Sequence, residues 1–300
     1  MRTILKNITE KKFSKVVVTG GAGFVGSHLC EYLIKNYPNC EVYSIDDYSS
    51  GSIQNHINGV QYIEDKASNI HKIIDFCPSH IFHLGEYSRV EASFNDIDKV
   101  FDSNMKSIYN ILKFVKDTDA KLIYSGSSTK FGDNGLNKDT NPYAWTKSTN
   151  TELIINYASW FKINYAISYF YNVYGGREIG NGNYATVVGI FKKQYIENKP
   201  LEVVLPGSQK RNFTHIEDIV NALVLIGLHG SGDNYGIGAE EEISVKELAE
   251  LFNKDIKFLP ERRGNRLSAD LKTEKTKSLG WSQTKKIKDH IKKFISDNNE

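Results

Sequence analysis

The chain has 300 residues, 40% of them hydrophobic and 25% charged, with a formal net charge of +2. Such a balance excludes a disordered polyampholyte and a strongly basic nucleic-acid binder, and no apolar run approaches the ~20 residues that a membrane-spanning helix needs. Residues 1–15 lack the apolar core of a secretory signal, and the odd set Cys30, Cys40 and Cys77 has no metal-ligand spacing, so buried thiols, no metal and a cytoplasmic setting are expected.

Residues 1–14, polar and charged, read as an extension before the first strand. A β-branched run at Lys15–Thr19 then ends in closely spaced glycines and passes directly into a helical pattern through Ser27, Leu29 and Leu33. Gly21, Gly23 and Gly26 satisfy the dinucleotide fingerprint, and Gly20, Gly23 and Gly26 satisfy its wider variant. Glycines in this context permit a sharp turn and close approach of a pyrophosphate to the free N–H groups of the helix start. The next strand, Glu41–Ile45, runs into Asp46, 20 residues beyond Gly26, where a carboxylate would accept from adenosine ribose hydroxyls. Asp47 follows and no Lys or Arg occurs until Lys66, which favours NAD over its 2′-phosphorylated form.

Further strand patterns at Gln61–Ile63, His80–Leu84, Ala120–Ser125 and Tyr165–Tyr169 alternate with helical ones, notably Asp98–Lys116 and Tyr143–Phe161. Six alternations predict an α/β fold with a Rossmann-type, doubly wound parallel sheet over residues 15–175. Beyond Asn172 the elements shorten and turn residues increase, so residues 176–300 are expected to form a smaller substrate-binding α/β region. It would hold helices at Thr186–Glu197, Ile216–Leu228, Ser244–Phe252 and Lys285–Ile295, with a strand at Leu201–Leu205. Lysines near the C-terminus are interleaved with acids and read as a solvated helix face.

Tyr143 and Lys147, at i and i+4, share one helix face, where an ammonium favours the phenolate and equips the tyrosine to take a proton from a sugar hydroxyl. The preceding buried strand runs into Ser125, Ser127, Ser128 and Thr129. Strand C-terminal ends face the ligand crevice of a parallel sheet, and a serine there can bond both the reacting oxygen and the tyrosine.

Taken with Phe82-His83-Leu84, the 170–175 stretch Phe-Tyr-Asn-Val-Tyr-Gly, the 211–219 stretch from Arg211 to Ile219 and Leu279-Gly280-Trp281, these motifs make the chain resemble an extended short-chain dehydrogenase/reductase of the NAD-dependent nucleotide-sugar epimerase/dehydratase family. The resemblance runs from about residue 15 to 295. It implies Tyr143 as base, Lys147 as partner of the nicotinamide ribose, and Ser127 as the group that orients the reacting hydroxyl. Gly20, Gly23, Phe24, Val25, Gly26, Asp46, Asp65, Leu84 and Asn104 would line the NAD site, and Asn172, Arg211 and Arg262 would contact the diphosphate of a nucleotide sugar. A homodimer through the helices at Asp98–Lys116 and Tyr143–Phe161 is implied as well.

Two departures sharpen the expectation. Dehydratases of the family carry an Asp-Glu pair where this chain has Ser128 and Thr129, and removal of water needs that extra acid and base, so a C4 epimerase acting on a UDP-sugar is favoured over a 4,6-dehydratase or a keto-sugar reductase. Glu86 and Arg89 replace part of a usually small, uncharged segment. They are expected near the sugar, to recognise it or supply a second acid/base, or else to pair with each other at the surface.

Overall fold

A computed structural model describes residues 12–135, 138–182, 184–261 and 270–298. In the first part β1 (Lys15–Thr19), α1 (Phe24–Asn36), β2 (Glu41–Asp46), β3 (Val60–Glu64), α2 (Ile70–Ile73) and β4 (His80–His83) are followed by α3 (Ile97–Val100), one π-helical turn (Phe101–Lys106) and α4 (Ser107–Thr118). β5 (Lys121–Ser127), α5 (Pro142–Phe161) and β6 (Tyr165–Phe170) complete it. The remainder contains β7 (Val173–Tyr174), α6 (Val187–Ile196), β8 (Leu201–Val204), β9 (Lys210–Asn212), β10 (Thr214–His215), α7 (Ile216–His229) and β11 (Gly232–Ile237). It closes with β12 (Glu242–Ser244), α8 (Val245–Glu250), β13 (Ile256–Leu259), α9 (Glu274–Lys277) and α10 (Ile287–Asn298).

Seven strands form one sheet in the order β11-β6-β5-β4-β1-β2-β3. Every pairing in it is parallel, and the strand order reverses between β1 and β4, which opens a crevice outside the strand C-termini. A parallel sheet must be covered on both faces. Val16, Val18 and Phe82 pack with α1 and α7 on one side, while Val17, Ile81, Leu122 and Tyr124 pack with α4 and α5 on the other. A third core, built on Phe191, Val203, Leu248, Phe252 and Ile291, belongs to the smaller lobe. No helix among the described residues is long and apolar enough to cross a membrane.

Three sequence expectations change. The chain does not part once near residue 175: after β6 it enters the small lobe, returns as α7 and β11 to the large sheet, and leaves again. β11 is a seventh strand that composition concealed, since Gly232, Asp233 and Asn234 are turn formers and the pairing register shifts between Gly232 and Tyr235. The helix expected over Asp98–Lys116 contains the π turn, which draws Asn104 into the interior. Of the cysteines, Cys30 and Cys40 are buried and Cys77 is exposed; burial pushes the Cys30 thiol up to about 12.

Candidate active site

One cleft of about 1240 Å³ runs along the C-terminal ends of the strands and on toward the small lobe. Single small-molecule sites span roughly 300–1,000 Å³, so this volume suits two ligands end to end. At the sheet end the glycine turn shapes its floor. Gly20 has φ +74°, and a Cβ there would lie 2.8 Å from Gly85; a Cβ on Gly26 would lie 2.0 Å from the Gly20 carbonyl oxygen. Larger residues would push the loop and helix apart and fill the cradle in front of α1, whose first-turn N–H groups are the donors for a pyrophosphate.

Asp46 closes this end. Its Oδ2 accepts from Ala22 N at 2.9 Å and its Oδ1 from Tyr48 N at 2.9 Å, leaving each oxygen a second acceptor position for a ribose hydroxyl. Burial pushes its carboxyl above the ordinary value, and the two backbone donors oppose that. Asp65, also on the cleft, accepts from Asn69 Nδ2 and Lys66 N, which hold it below its ordinary value. Phe24, Val25 and Leu84 complete the wall. Glycine cradle, helix start and doubly anchored carboxylate fit a dinucleotide.

The catalytic candidates converge in the middle. α5 begins where Asn141 Oδ1 caps Ala144 N at 2.9 Å and Pro142 opens the first turn, which fixes the rotation of the helix. Tyr143 and Lys147 then reach the cleft together with Ser127 from the end of β5. Lys147 Nζ donates to Ser125 O at 2.7 Å. Ser127 Oγ accepts from Thr129 Oγ1 at 2.9 Å and from Thr129 N at 3.3 Å, so its own hydrogen is left for another acceptor.

Glu86 lies on the cleft, yet its carboxylate is turned inward, and it does not pair with Arg89. Its side chain is fully buried, with Oε2 2.5 Å from Lys147 Nζ. Oε2 also accepts from Tyr124 OH at 2.9 Å, while Oε1 lies 3.1 Å from Asn150 Nδ2 and 3.3 Å from His83 Nε2. Burial alone would push this carboxyl up; Lys147 and His83 outweigh it and hold it below its ordinary value. Burial and the adjacent Glu86 push the Tyr124 phenol well up, which keeps its hydroxyl a donor.

Asn104 also departs from expectation. It is wholly buried and does not line the cleft; its amide donates to Tyr87 O and Thr146 Oγ1 and its oxygen accepts from Tyr87 N at 2.7 Å, so it ties the loop that carries Glu86 to α5. Arg89 does line the cleft. Its guanidinium donates to Ser88 O and Tyr184 O and lies 5.5 Å from the Tyr184 ring, and burial pulls it below its ordinary value.

Asn172 and Arg211, from the chain after β6 and from β9, line the small-lobe half of the cleft. Arg262 lies outside the described residues. Sequence reasoning did not single out Tyr124, Asn150 or Thr19, which build the polar layer behind Lys147. The one available signal was the i, i+3 spacing of Lys147 and Asn150, two polar residues on the buried face of α5.

Known proteins resemble this chain along most of its length. The profile of the NAD dependent epimerase/dehydratase family matches residues 16–238. A protein of Methanocaldococcus jannaschii described as a putative UDP-glucose 4-epimerase is 29% identical over 300 positions, spanning 94% of this chain and 97% of that one. The dTDP-D-glucose 4,6-dehydratase of Bos taurus is 28% identical over 326 positions, spanning 94% and 87%. The crystal structure of the Thermotoga maritima UDP-glucose 4-epimerase with UDP-glucose superposes with a TM-score of 0.86 at 23% identity, covering 95% of this chain and 100% of that chain, a likeness of fold.

Proposed function

This chain belongs to the NAD-dependent epimerase/dehydratase family, and on that premise we propose that it is a nucleotide-sugar epimerase, inverting C4 of a UDP-sugar through transient oxidation by tightly bound NAD. The observation that carries the choice is the Ser127-Ser128-Thr129 corner: beside Tyr143 and Lys147 it offers hydroxyls, with Thr129 spent on Ser127, where elimination of water needs a carboxylic acid and a base.

NAD, when bound, supplies the reversible hydride acceptor for a carbinol carbon. Gly20, Gly23, Gly26 and Asp46 would hold its adenosine half, with Phe24, Val25, Asp65 and Leu84 around it. Lys147 keeps one N–H beyond those given to Ser125 and Glu86, which would be available to the nicotinamide ribose. Tyr143 takes the proton of the sugar hydroxyl as the carbonyl forms and gives it back as the carbonyl is reduced. Ser127 holds that oxygen in line with Tyr143. Asn172 and Arg211 would grip the diphosphate, and Arg89 would meet the sugar. No further acid or base is required, because every proton lost in the first half is returned in the second. A homodimer through α4 and α5 completes the proposal. Support for it comes from Phe101, Tyr109, Trp145, Trp160 and Phe161, all more than a third exposed along these helices and the π turn.

The test is to incubate the protein, without added cofactor, with UDP-, GDP-, dTDP- and ADP-sugars in D₂O and follow proton NMR, with Tyr143→Phe as the inert control. A stereoisomer free of solvent deuterium at the inverted carbon is expected. A persistent 4-keto product or stoichiometric NADH would overturn epimerisation in favour of dehydration or net oxidation.

A further inference from the structure

A carboxylate buried against the active-site lysine is the least expected feature of the molecule. Breaking or leaving unpaired a charge in such a place is costly, and burial of a pair is tolerated when its remaining hydrogen-bond positions are filled. Those of Glu86 are filled from three directions: Lys147 and Asn150 on α5, Tyr124 on β5 and His83 on β4. The His83 ring is itself oriented. Thr19 Oγ1 accepts from Leu84 N and Gly85 N, so its single hydrogen goes to His83 Nδ1 at 2.7 Å; the ring hydrogen then sits on Nε2, toward Glu86 and Ser107. A continuous polar layer thus joins the glycine turn of β1 to the ammonium of Lys147.

We propose that Glu86 is a positioning residue that pins the Lys147 ammonium against Ser125 and cancels its charge, so that Tyr143 works beside a neutral ion pair and not beside a lone cation. A lone ammonium one helical turn away acts on the phenol as a full charge; a contact pair 2.5 Å apart acts as a dipole, whose field falls off faster with distance. Arg89, from the loop after β4, and Tyr124, from β5, also lie within electrostatic reach of Tyr143, and neither is a member of the ion pair. The proposal leans on the epimerase reading only for the turnover assay.

The experiment compares Glu86→Gln, Glu86→Asp and the double variant Glu86→Gln/Lys147→Met with the parent protein. Two quantities are measured: the pH dependence of kcat/KM on whichever nucleotide sugar is turned over, and the pH at which tyrosinate absorbance develops in cofactor-free protein, taken as the difference from Tyr143→Phe in each background. In Glu86→Gln the Tyr143 absorbance and the acidic limb of kcat/KM both move down by about one pH unit, the size expected for uncovering one nearby cation. Glu86→Asp leaves both in place, even where its kcat falls. The double variant, with both charges gone, keeps the parent onset of tyrosinate absorbance.

Glu86→Gln that loses activity with an unmoved tyrosinate onset would overturn the proposal and leave Glu86 a structural residue. If Glu86→Gln does not fold, the double variant decides alone. An onset raised by about one unit there would show that Lys147 acts as a lone cation in the parent protein. Failure of the epimerase reading shows separately, as no inversion of any sugar, while the cofactor-free titration still tests the ion pair.

Discussion

Glu86 carries a pH signature as well as a positional one. Its carboxyl is held below its ordinary 4.5 in the folded protein, by Lys147 and His83 against the effect of burial. A depressed folded-state value means that the stabilisation is complete above the unfolded-state value and is lost as pH falls through the folded one. The parent protein should therefore melt above Glu86→Gln near neutral pH, by an amount reflecting about 3 kcal/mol for a broken buried pair. The gap should narrow progressively below 4.5, the ordinary value. Thermal melts of both proteins between neutral pH and acid measure it, and a gap constant into acid would mean that the carboxyl is not charged in the fold. Sequence flagged Glu86 as a departure but not where it points, because its partners Tyr124 and Asn150 lie 38 and 64 residues away. Asn104 was hidden in the same way, since an asparagine on a helix is legible but the π turn that buries it is not.

At the scale of elements, α4 and α5 serve two masters. Their inner faces, with Ile108, Ile111, Leu112 and Ile154, are fully buried against the sheet, whereas Tyr109 is 53% and Trp160 63% exposed on the outer side. Large aromatic side chains left in water along adjacent helices are what supports the proposed dimer face. Trp160→Glu should shift the proposed dimer toward monomer by at least tenfold in dissociation constant, read by sedimentation velocity across a dilution series; an unchanged sedimentation profile would remove this face from the interface. Both helices were legible in the sequence as the helical patterns Asp98–Lys116 and Tyr143–Phe161, although the Asn141 cap and Pro142 that open α5 were not read there. β11 was not, because Gly232 to Asn234 carry turn chemistry and only pairing with β6 makes them a strand.

For the whole molecule, the proposed function divides the cleft between two binding tasks. The sheet end holds the glycine cradle and Asp46; the small lobe brings Arg211 on β9 to the far side. Arg211→Met should raise KM for a nucleotide sugar by roughly tenfold or more, the order of a lost charge-assisted hydrogen bond, with coenzyme affinity unchanged by calorimetry. Parallel loss of both affinities would show that Arg211 supports the fold and not the diphosphate. The lining at the sheet end, Asn104 apart, was readable from the sequence, because a glycine turn between strand and helix is a local device. The substrate half was readable only as a list of candidates, since its residues come from elements that no periodicity brings together.

The repeated passage of the chain between sheet and lobe has one more consequence. A lobe on a single linker swings open as a lid; one stitched to the sheet before β7, at α7, after β11 and again toward α10 has no one axis to swing about. Under the proposed function, a sugar nucleotide would enter and leave by the mouth between the stitches while the coenzyme stays deeper in the cleft. Under the proposed chemistry this gives each turnover its own closed ledger of atoms: the hydrogen lifted from one sugar goes back to that same sugar, never to the next in line.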